Sequence, residues 1–475
     1  MNETRTRFAP SPTGYMHVGN LRSALYTYLI AKISNGTFVL RVEDTDRERY
    51  VEDAVNVIFA TLKATGLIHD EGPDIGGEYG PYIQSERGNY EKYAKQLVDE
   101  NQAYYCFCSE ERLDNLRKTA KISKRAFRYD GHCKNLSQIE INEKLKNSEK
   151  YVIRQAMPTT GKTVYNDLVY GKISFDNEEL EDQILIKGDG YPTYNFANVI
   201  DDYLMKITHV VRGNEYLTST PKYCRLYDAF GWEQPIYVHL PSIVNIDGKK
   251  LSKRNNDASY NDLSKRGFLP EAIINYLALL GWSPEDNIEI FNLEELTKKF
   301  SIERISKAPS VFDIEKLKWI NSKYINELDD DAYYQFVMKF IGSKLDEYSL
   351  EEQKVMVNLY KKQLNYGDQI IELLEGFLKE PTLEKDAIEF MEKEGIENTI
   401  CEFKKQITLV DEWTIDNIKD VINKTKFITG AKGKSLFMPL RISATHLMHG
   451  VELAENIWLL GKTQVLDNIN YYIKK

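Results

Sequence analysis

The segment TRTRFAPSPTGYMHVGNLRSALYTYLIAKISNGTFVLRV, Thr4–Val42, decides the fold. Thr4–Ala9 has the pattern of a short strand, and Thr37–Val42 is typical of a buried one. Between them, the apolar residues of Leu21–Lys32 recur at helical spacing until Gly36 ends the helix. Strand, loop, helix and strand form a βαβ unit, whose loop and helix N-terminus lie at the carboxyl end of a parallel sheet. Because nucleotides bind at this edge of open α/β sheets, the segment predicts a nucleotide-binding domain.

The loop of this unit, Arg7–Asn20, contains two prolines and two glycines. It has neither the dinucleotide fingerprint nor the P-loop with its Lys-Ser/Thr pair, so the sequence indicates neither hydride transfer nor P-loop hydrolysis. Far downstream, a Gly-containing turn precedes Lys250, Ser252, Lys253 and Arg254. Lysines on a loop suit the charge that develops on a triphosphate attacked at its α-phosphorus. The two segments together predict a different nucleotide chemistry.

Composition limits the function classes. The chain has 475 residues, 42% of them hydrophobic, so it can form roughly two to four domains with real cores. Its net charge of −10 argues against a basic coat for nucleic acids or membranes, although local basic patches can still bind RNA. No apolar run reaches the ~18 residues of a membrane span, and no signal peptide is recognisable, which predicts a cytoplasmic protein. Among five cysteines, Cys224 and Cys401 are predicted to be buried single residues.

Two short motifs carry a family resemblance. His17-Val18-Gly19-Asn20 resembles the His-Ile-Gly-His signature of class I aminoacyl-tRNA synthetases, and Lys250–Arg254, KLSKR, resembles their Lys-Met-Ser-Lys-Ser signature. The first motif departs at Asn20, where the class often has histidine. Further segments over nearly the whole chain are similar to bacterial-type glutamyl-tRNA synthetases, in that family's order: APSPTGYMHVGNLRSALY, FVLRVEDTDRERY, YDGHC, DGYPTYNFANVIDDYLMKITHVVRGNEYLTSTPKY, FDIEKLKWINSKYI and GKSLFMPLRISATHLMHG.

The resemblance implies an α/β Rossmann-like class I catalytic domain with an α+β insertion, followed by an all-α stem and anticodon-binding region, in a monomer. The sequence itself predicts helices from Arg254 to Lys475, where apolar residues recur at helical spacing. The implied domains are the first half of the catalytic domain, 1–88; the acceptor-binding insertion (connective peptide), 89–190; the second half of the catalytic domain, 191–247; the stem-contact domain with the KLSKR loop, 248–325; and a helical anticodon-binding region of two sub-bundles, 326–475.

The activity that the resemblance implies is that of a glutamate–tRNA ligase. L-glutamate and ATP form glutamyl-adenylate, and the glutamyl group passes to the terminal ribose of tRNA(Glu). The substrate carboxylate attacks the α-phosphorus, so the protein contributes alignment and charge, and Mg²⁺ accompanies ATP. By the resemblance, glutamate is bound by Arg7, Ser11, Glu43, Tyr194, Asn198 and Arg212; ATP is bound by His17, Gly19, Glu215, Ile243, Lys250 and Lys253; and His17, Lys250 and Lys253 are catalytic.

Single residues of this set also have structural interpretations. Glu43 could be one acid of a solvated cluster, and Arg212 could belong to a structural ion pair. His17 could be a helix cap, and KLSKR alone could be a solvated basic turn. In the functional interpretation, Arg212 pairs with the γ-carboxylate of the substrate, which would exclude glutamine.

Three cysteines, Cys106, Cys108 and Cys133, suggest a metal site. They resemble a Cys-x-Cys…Cys-x-His site of some family members, and three thiolates in a cytosolic protein favour zinc over a disulfide. Asn135 stands where that pattern has histidine. Three interpretations stay open: His132 supplies the fourth ligand, water fills the position, or zinc is absent.

Two basic segments are candidates for RNA contact. In the insertion, basic groups lie beside aromatic ones, which suits an RNA end, but a charged surface helix is equally compatible. The segment Asn423–Arg441, NKTKFITGAKGKSLFMPLR, could meet phosphates or could be an exposed basic loop. The insertion residues are Lys118, Lys121, Lys124, Arg125, Phe127, Arg128 and Tyr129.

The choice of tRNA stays open. Some family members charge only tRNA(Glu), and others also charge tRNA(Gln) with glutamate; an arginine that reads the last anticodon base is linked with the strict type. The corresponding position falls near Lys361–Gln363, with Gln363 as the candidate. The resemblance also implies that glutamate activation waits for bound tRNA, a coupling between separate sites.

Three other functions share parts of this pattern. A nucleotidyltransferase with the same two signatures is usually much shorter and lacks an RNA-binding half. A non-catalytic homologue would lack the ATP signatures or the glutamate residues, and this chain has both. An enzyme that attaches glutamate to a tRNA base ends after the catalytic domain, whereas this chain continues well beyond it.

Overall fold

The computed structural model contains the predicted βαβ unit at the start of the chain. β1 (Arg5–Phe8) and β2 (Thr37–Leu40) are parallel, and α1 (Val18–Ile33) connects them. The boundaries of the helix and strands agree with the sequence prediction to within a few residues. The structure describes residues 3–45, 51, 53–124, 127–249, 251, 259–378, 385–391 and 396–473.

Local chemistry explains both ends of α1. His17 is the N-cap, and its Nδ1 accepts a hydrogen bond from the backbone N–H of Gly19 at 3.1 Å. Beyond the helix, a Cβ at Gly36 would lie only 2.1 Å from the backbone oxygen of Thr4. Glycine therefore lets the chain pass close to β1, where Thr37 donates its N–H to the same oxygen (2.8 Å) and begins β2.

Together with β1 and β2, the remaining strands form three sheets. In the described residues they are β3 (Ala103–Cys106), β4 (Val152–Gln155), β5 (Lys162–Asp167), β6 (Gly171–Asp176), β7 (Ile184–Ile186), β8 (His209–Gly213), β9 (Ile236–Leu240), β10 (Ile243–Val244) and β11 (Ser310–Val311).

The main sheet has the strand order β2-β1-β8-β9-β5-β6. The strands from β2 to β5 are parallel to their neighbours, and β6 closes an antiparallel hairpin with β5. This hairpin comes from the segment 89–190, which the resemblance assigns to the insertion. Part of that segment therefore extends the main sheet, and only β3, β4 and β7 form a separate antiparallel sheet.

The described residues form two compact units, Met1–Lys265 with Pro270–Leu317, and Arg266–Leu269 with Lys318–Lys475. After residue 259, β11 is the only strand among the described residues, which confirms the predicted helical C-terminal part. No helix of the described residues has the length and apolar character needed to cross a membrane. The first unit contains α1, α2 (Ala54–Ala64), α3 (Gln84–Arg87), α4 (Tyr90–Asp99), α5 (Glu110–Ile122), α6 (Gln138–Lys146), α7 (Tyr194–Leu204), α8 (Thr220–Ala229), α9 (Tyr260–Lys265), α10 (Pro270–Leu279) and α11 (Leu293–Lys299).

The second unit has two hydrophobic cores. One is formed by buried residues such as Tyr333, Val357 and Leu364, and the other by residues such as Phe403 and Leu440. The division of this region into two sub-bundles, which the resemblance implies, stays a prediction. The helices, of which the first spans the boundary between the units, are α12 (Ile314–Glu327), α13 (Asp330–Ile341), α14 (Leu350–Asn358), α15 (Gln369–Leu378), α16 (Lys385–Met391), α17 (Ile396–Thr408), α18 (Ile415–Thr429), α19 (Lys434–Thr445), α20 (Leu453–Leu460) and α21 (Lys462–Ile473).

Candidate active site

Three neighbouring strands bring charged residues to one edge of the main sheet. Arg7 lies on β1, Glu43 follows β2, and Arg212 lies on β8; all three are buried. β1 is the middle strand of the three and is parallel to both neighbours. Because the carboxyl ends of parallel strands meet at the same edge, the three side chains share one site.

Two carboxylates compensate two arginines at this edge. Asp202, on α7, accepts hydrogen bonds from Arg7 (2.9 Å) and Arg41 (2.7 Å), and Glu43 accepts one from Arg41 (2.9 Å). Burial disfavours the charge of Asp202, but the two arginines outweigh burial and lower its pKa. At Glu43 burial outweighs the attraction of Arg41 and raises the pKa. The result is a compact, compensated network of four buried charged groups.

Arg212 is a third buried arginine at this edge, and no carboxylate of the described residues forms an ion pair with it. Its Nε donates to Nε2 of His239 (3.3 Å), and its Nη2 donates to Oγ1 of Thr220 (2.8 Å). A buried cation without a counter-charge is costly, so this environment favours an anionic ligand. Three aromatic rings surround the guanidinium, with centroids 4.6–5.6 Å from its carbon: Tyr216, Tyr223 and Tyr237.

The other predicted glutamate residues lie on α7 and in the first loop. Asn198 is buried, and its Nδ2 donates to the backbone oxygen of Tyr194 (2.9 Å), one turn earlier. Tyr194 is 37% exposed and lies within electrostatic reach of Glu43 and Arg212. Ser11 is exposed in the loop after β1. The structure thus brings Tyr194 and Asn198 to the charged edge, while Ser11 faces the solvent.

The described members of the predicted ATP set lie near the start of α1. His17 and Gly19 form the first turn of the helix, whose N-terminus attracts anions. Arg22, one turn further on, donates to the backbone oxygen of Pro241, two residues before Ile243. It also lies within electrostatic reach of Glu215, which is exposed. Arg22 therefore lies near both segments that carry the other described residues of this set, Glu215 and Ile243.

The remaining ATP residues, Lys250 and Lys253, lie outside the described residues. Between them, Leu251 donates its N–H to the backbone oxygen of Ile243 (3.3 Å). Their assignment to ATP stays a prediction.

Comparisons with known proteins agree with this geometry. The chain matches the family model "tRNA synthetases class I (E and Q), catalytic domain" over residues 3–319 and "Anticodon binding domain" over residues 315–473. It is 49% identical to a glutamate–tRNA ligase of Clostridium acetobutylicum, covering 100% of this chain and 99% of the relative. It is 51% identical to one of Clostridium novyi, covering 100% and 98%. The chain belongs to the glutamate–tRNA ligase family.

Solved structures of the same family have the same fold. A glutamate tRNA ligase from Elizabethkingia meningosepticum, in complex with its amino acid, superposes with a TM-score of 0.89 at 35% identity. A glutamate–tRNA synthetase from Elizabethkingia anophelis superposes with a TM-score of 0.91 at 34% identity. Both matches cover 100% of each chain, so the similarity includes the helical C-terminal part.

This family member has a second cluster of chemical interest. The Sγ atoms of Cys106, Cys108 and Cys133 all lie within 4.8 Å of one another. Hydrogen bonding with Cys133, and next with Tyr129, lowers the pKa of the Cys106 thiol, which favours its thiolate form. Because thiolates are the forms that bind metals, this cluster could hold a zinc ion.

Tyr129 is a further polar group at the cysteine cluster. The Tyr129 hydroxyl oxygen lies 3.3 Å from the sulfurs of Cys106 and Cys108 and accepts the backbone N–H of Cys133 at 3.1 Å. His132 is exposed and is not among the residues that meet there. The assignment of His132 as fourth ligand stays a prediction. Tyr129 is buried against the sulfurs, so it is no stacking surface for RNA.

The two single cysteines of this family member differ. Cys224 is buried in α8, as predicted, and burial raises its pKa to about 12. Cys401 is exposed, so the prediction that it is buried was wrong. On α17 the buried face includes Ile400 and Phe403, and position 401 is rotated out of that face.

The other predicted RNA residues of the insertion lie on an open surface. No residue of α5 is buried, and Lys118, Lys121 and Lys124 are exposed on or just after it. Arg128 donates to the backbone oxygen of Leu180 (3.0 Å). The half-buried Phe127 packs below Arg117, and Arg125 lies outside the described residues.

The second unit presents the other RNA candidates. Gln363 is exposed in a single turn of 3₁₀ helix after α14. The segment Asn423–Arg441 is mostly helical: it runs from the last turns of α18 into α19, and only Gly430–Gly433 connects them. Phe427, on α18, is 90% exposed. The interpretation of this segment as a basic loop therefore applies only to its four central residues.

Sequence reasoning missed several residues that shape the site. Arg41 directly follows the apolar strand β2, His239 interrupts the apolar strand β9, and Asp202 lies one turn after Asn198 on α7. A charged or titratable residue inside an apolar run is a signal that could have identified them, because such groups are seldom buried without a partner.

Proposed function

We propose that this chain activates L-glutamate with ATP and transfers the glutamyl group to the terminal ribose of tRNA(Glu). The observation that carries the proposal is the uncompensated guanidinium of Arg212 beside the compensated pair of Arg7 and Arg41. A γ-carboxylate supplies the missing charge, whereas the amide of glutamine would leave the buried cation without a partner. The reaction belongs to the cytoplasm, where tRNA and ATP are present.

The proposal gives the other charged groups of the site distinct roles. Oε1 of Glu43 accepts from Arg41, and Oε2 is free to receive the ammonium group of glutamate. Tyr194 and Asn198 line the path between the two ends of the substrate, and Ser11, which is exposed in this structure, touches the substrate from the loop. Arg7, held by Asp202, adds positive potential near the substrate carboxylates. None of these groups attacks the substrate, because the α-carboxylate is itself the nucleophile.

ATP lies at the start of α1 in this proposal. His17, Gly19, Glu215 and Ile243 form one side of its site, and Lys250 and Lys253 compensate the charge that develops on the phosphates. Class I synthetases use ATP with Mg²⁺, which the phosphates largely hold. His17, Lys250 and Lys253 are the proposed catalytic residues.

We further propose that the cysteine cluster binds structural zinc. Three sulfurs within 4.8 Å and the nearby phenol oxygen of Tyr129 supply four donors, the number that zinc prefers. Metal analysis of the purified chain tests this: about one zinc per chain is expected, with clear loss in Cys108→Ser. A wild-type chain without zinc, purified without chelator, would refute the site. Tyr129→Phe then separates phenol from water as the fourth ligand.

Aminoacylation tests the proposed reaction. Purified tRNA(Glu) is incubated with glutamate, Mg²⁺ and ATP, with the wild-type chain and with Lys253→Ala. Charging by the wild type and its loss in the variant are expected. If a folded wild-type chain charges neither tRNA(Glu) nor tRNA(Gln), the proposal fails and a non-catalytic role takes its place.

The same assay with tRNA(Gln) decides the choice of tRNA. Charging of tRNA(Glu) alone indicates a discriminating ligase. Charging of both indicates that Gln363 does not exclude tRNA(Gln), and that a later amidation of the product is needed. Gln363→Arg is expected to reduce charging of tRNA(Gln) selectively, because arginine at this position is linked with strict members of the family.

A further inference from the structure

A buried histidine contacts the Nε edge of Arg212, and neither the family resemblance nor the comparisons give it a role. His239 lies on β9, the strand next to Arg212, and is fully buried. Its Nε2 accepts a hydrogen bond from Arg212 Nε (3.3 Å), and its Nδ1 is 2.7 Å from Oδ2 of Asp167. Asp167 ends β5, so the hairpin of the segment 89–190 reaches the glutamate pocket through this contact.

The neighbours of His239 determine which ring nitrogen carries the proton. The Nε–H of arginine can only donate, so Nε2 of His239 must be unprotonated where it faces Arg212. An ionised aspartate can only accept, so Nδ1 must carry the proton that it donates to Asp167. Burial lowers the pKa of His239 and keeps the ring neutral beside the arginine.

Hydrogen bonds fix the orientation of the Asp167 carboxylate. Its Oδ2 also accepts the backbone N–H of His239 (3.0 Å), and its Oδ1 accepts the N–H groups of Val169 (2.9 Å) and Tyr170 (2.8 Å). Four donors thus orient one carboxylate, which orients the ring. On the other side of Arg212, the Thr220 hydroxyl accepts from Nη2, donates to the backbone oxygen of Tyr216 and lies 3.2 Å from His239.

These contacts use one edge of the guanidinium and leave the other free. His239 takes the Nε proton and Thr220 takes one Nη2 proton, so both protons of Nη1 and one of Nη2 remain for a ligand. This is the fork that pairs with a carboxylate in two parallel hydrogen bonds. The direction of this fork depends on His239 and Thr220, which hold the opposite edge of the guanidinium.

We propose that His239, held as the Nδ1–H tautomer by Asp167, is a positioning residue that orients Arg212 toward the γ-carboxylate of glutamate. This inference rests on the proposed function. The contribution of His239 is the lone pair at Nε2, and its removal weakens glutamate binding without disturbing ATP.

Two substitutions of His239 distinguish the effect of losing the Nε2 lone pair from the effect of losing the volume of the ring. His239→Gln can place its Oε1 near the position of Nε2 and so keeps an acceptor for Arg212. His239→Asn can still donate to Asp167 through Nδ2 but has no acceptor at that distance. Initial rates of tRNA(Glu) charging are measured with glutamate varied at saturating ATP, and then with ATP varied.

The expected result is a split between the two variants. His239→Asn raises KM for glutamate by about tenfold to a hundredfold, the effect of losing one hydrogen bond to a charged group, while kcat and KM for ATP change by less than about threefold. His239→Gln restores KM for glutamate to within a few-fold of the wild type. An unchanged KM in His239→Asn, or an equal rise in both variants, overturns the proposal.

Spectroscopy gives a test that does not depend on the stability of His239→Asn. The chain has seven histidines, and the ¹⁵N signals of His239 are those that disappear in His239→Gln. A protonated Nδ1 with an unprotonated Nε2 is expected, and a protonated Nε2 overturns the proposal. If the wild type charges no tRNA while the tautomer is as expected, the proposed function fails and the arrangement of His239 remains.

Discussion

At the scale of single residues, the site is defined by the compensation of buried charge. Asp202 joins Arg7 and Arg41, whereas Arg212 forms no ion pair with a carboxylate of the described residues. The sequence indicated Arg7 and Arg212 through resemblance, but it could not distinguish a paired arginine from an unpaired one. That distinction depends on Asp202, which is remote in sequence from both Arg7 and Arg41 and becomes their neighbour only in the folded chain.

Asp202→Asn is expected to destabilise the first unit strongly. The substitution removes one of two negative charges that compensate Arg7 and Arg41, and breaking a buried ion pair typically costs about 3–5 kcal/mol. The free energy of unfolding from urea denaturation, followed by hydrogen exchange in the first unit, measures the loss. The matched control is Asp74→Asn, because Asp74 is half-exposed and its pair with His69 lies at the surface. A control effect below about 0.5 kcal/mol is expected, and equal effects of the two substitutions would contradict this account.

The stability difference between the wild type and Asp202→Asn is expected to depend on pH. The folded pKa of Asp202 is lower than its ordinary value of 3.8, so the ionised carboxylate contributes stability above that value. As the pH falls through the folded pKa, Asp202 is protonated and the contribution is lost. Urea denaturation of both chains from pH 7 down to pH 3 measures the difference, which is expected to be constant near neutrality and to shrink below about pH 4. A difference that grows on acidification is incompatible with a lowered pKa.

At the scale of elements, tertiary contacts between chain segments decide which strands pair in a sheet. The helical period of Leu21–Lys32 and the apolar run of Thr37–Val42 predicted α1 and β2 correctly. The resemblance places the hairpin of β5 and β6 in the insertion, whereas the structure places it in the main sheet. The sequence does not reveal this, because alternating residues in a strand do not tell which sheet the strand will join. Its place beside β9 is set by tertiary contacts such as the one between Asp167 and His239.

Gly36→Ala is expected to lower the stability of the first unit by about 1–3 kcal/mol. The added Cβ would lie 2.1 Å from the backbone oxygen of Thr4, so β1 or β2 must shift. Gly188→Ala is the matched control, because its Cβ would meet only the backbone oxygen of Tyr151 at an ordinary 3.8 Å. Thermal unfolding followed by circular dichroism compares the two variants. If they unfold at the same temperature, close packing at Gly36 does not limit stability.

At the scale of the whole molecule, the residues proposed for chemistry and those proposed for anticodon recognition lie in different units of the chain. The residues proposed to bind glutamate and ATP belong to the first unit, and Gln363 and Asn423–Arg441 belong to the second. The net charge of −10 does not reveal this division, because the lysines around Phe427 are local. An exposed aromatic ring among lysines suits a base that stacks while its phosphates meet the cations.

Phe427→Ala is expected to weaken binding of tRNA(Glu) by about fivefold or more, since stacking of a base on an aromatic ring contributes about 1–3 kcal/mol. Filter binding at several salt concentrations measures the dissociation constant. The control is Leu409→Ala, which removes another exposed apolar side chain of the second unit. Similar affinities of the two variants and the wild type would exclude Phe427 from the RNA surface.

Pyrophosphate exchange is expected to require tRNA, and Phe427→Ala should shift this dependence to higher tRNA concentrations. The family resemblance implies that bound tRNA enables activation in the first unit, which is a coupling between separate sites. The exchange rate is measured with glutamate and ATP at increasing tRNA(Glu). Full exchange without tRNA would show that activation is independent of RNA in this chain.

The sequence by itself determined the βαβ unit, the helical second half and the ligase family, because periodicity and short motifs are local properties of a chain. Only the tertiary structure decided that Tyr129 meets the cysteines, that Asp202 compensates two arginines, and that Asp167 and His239 lie behind Arg212. These contacts join residues from different strands and helices. Their selection depends on which buried donors and charges find partners in three dimensions, and no local pattern records that pairing.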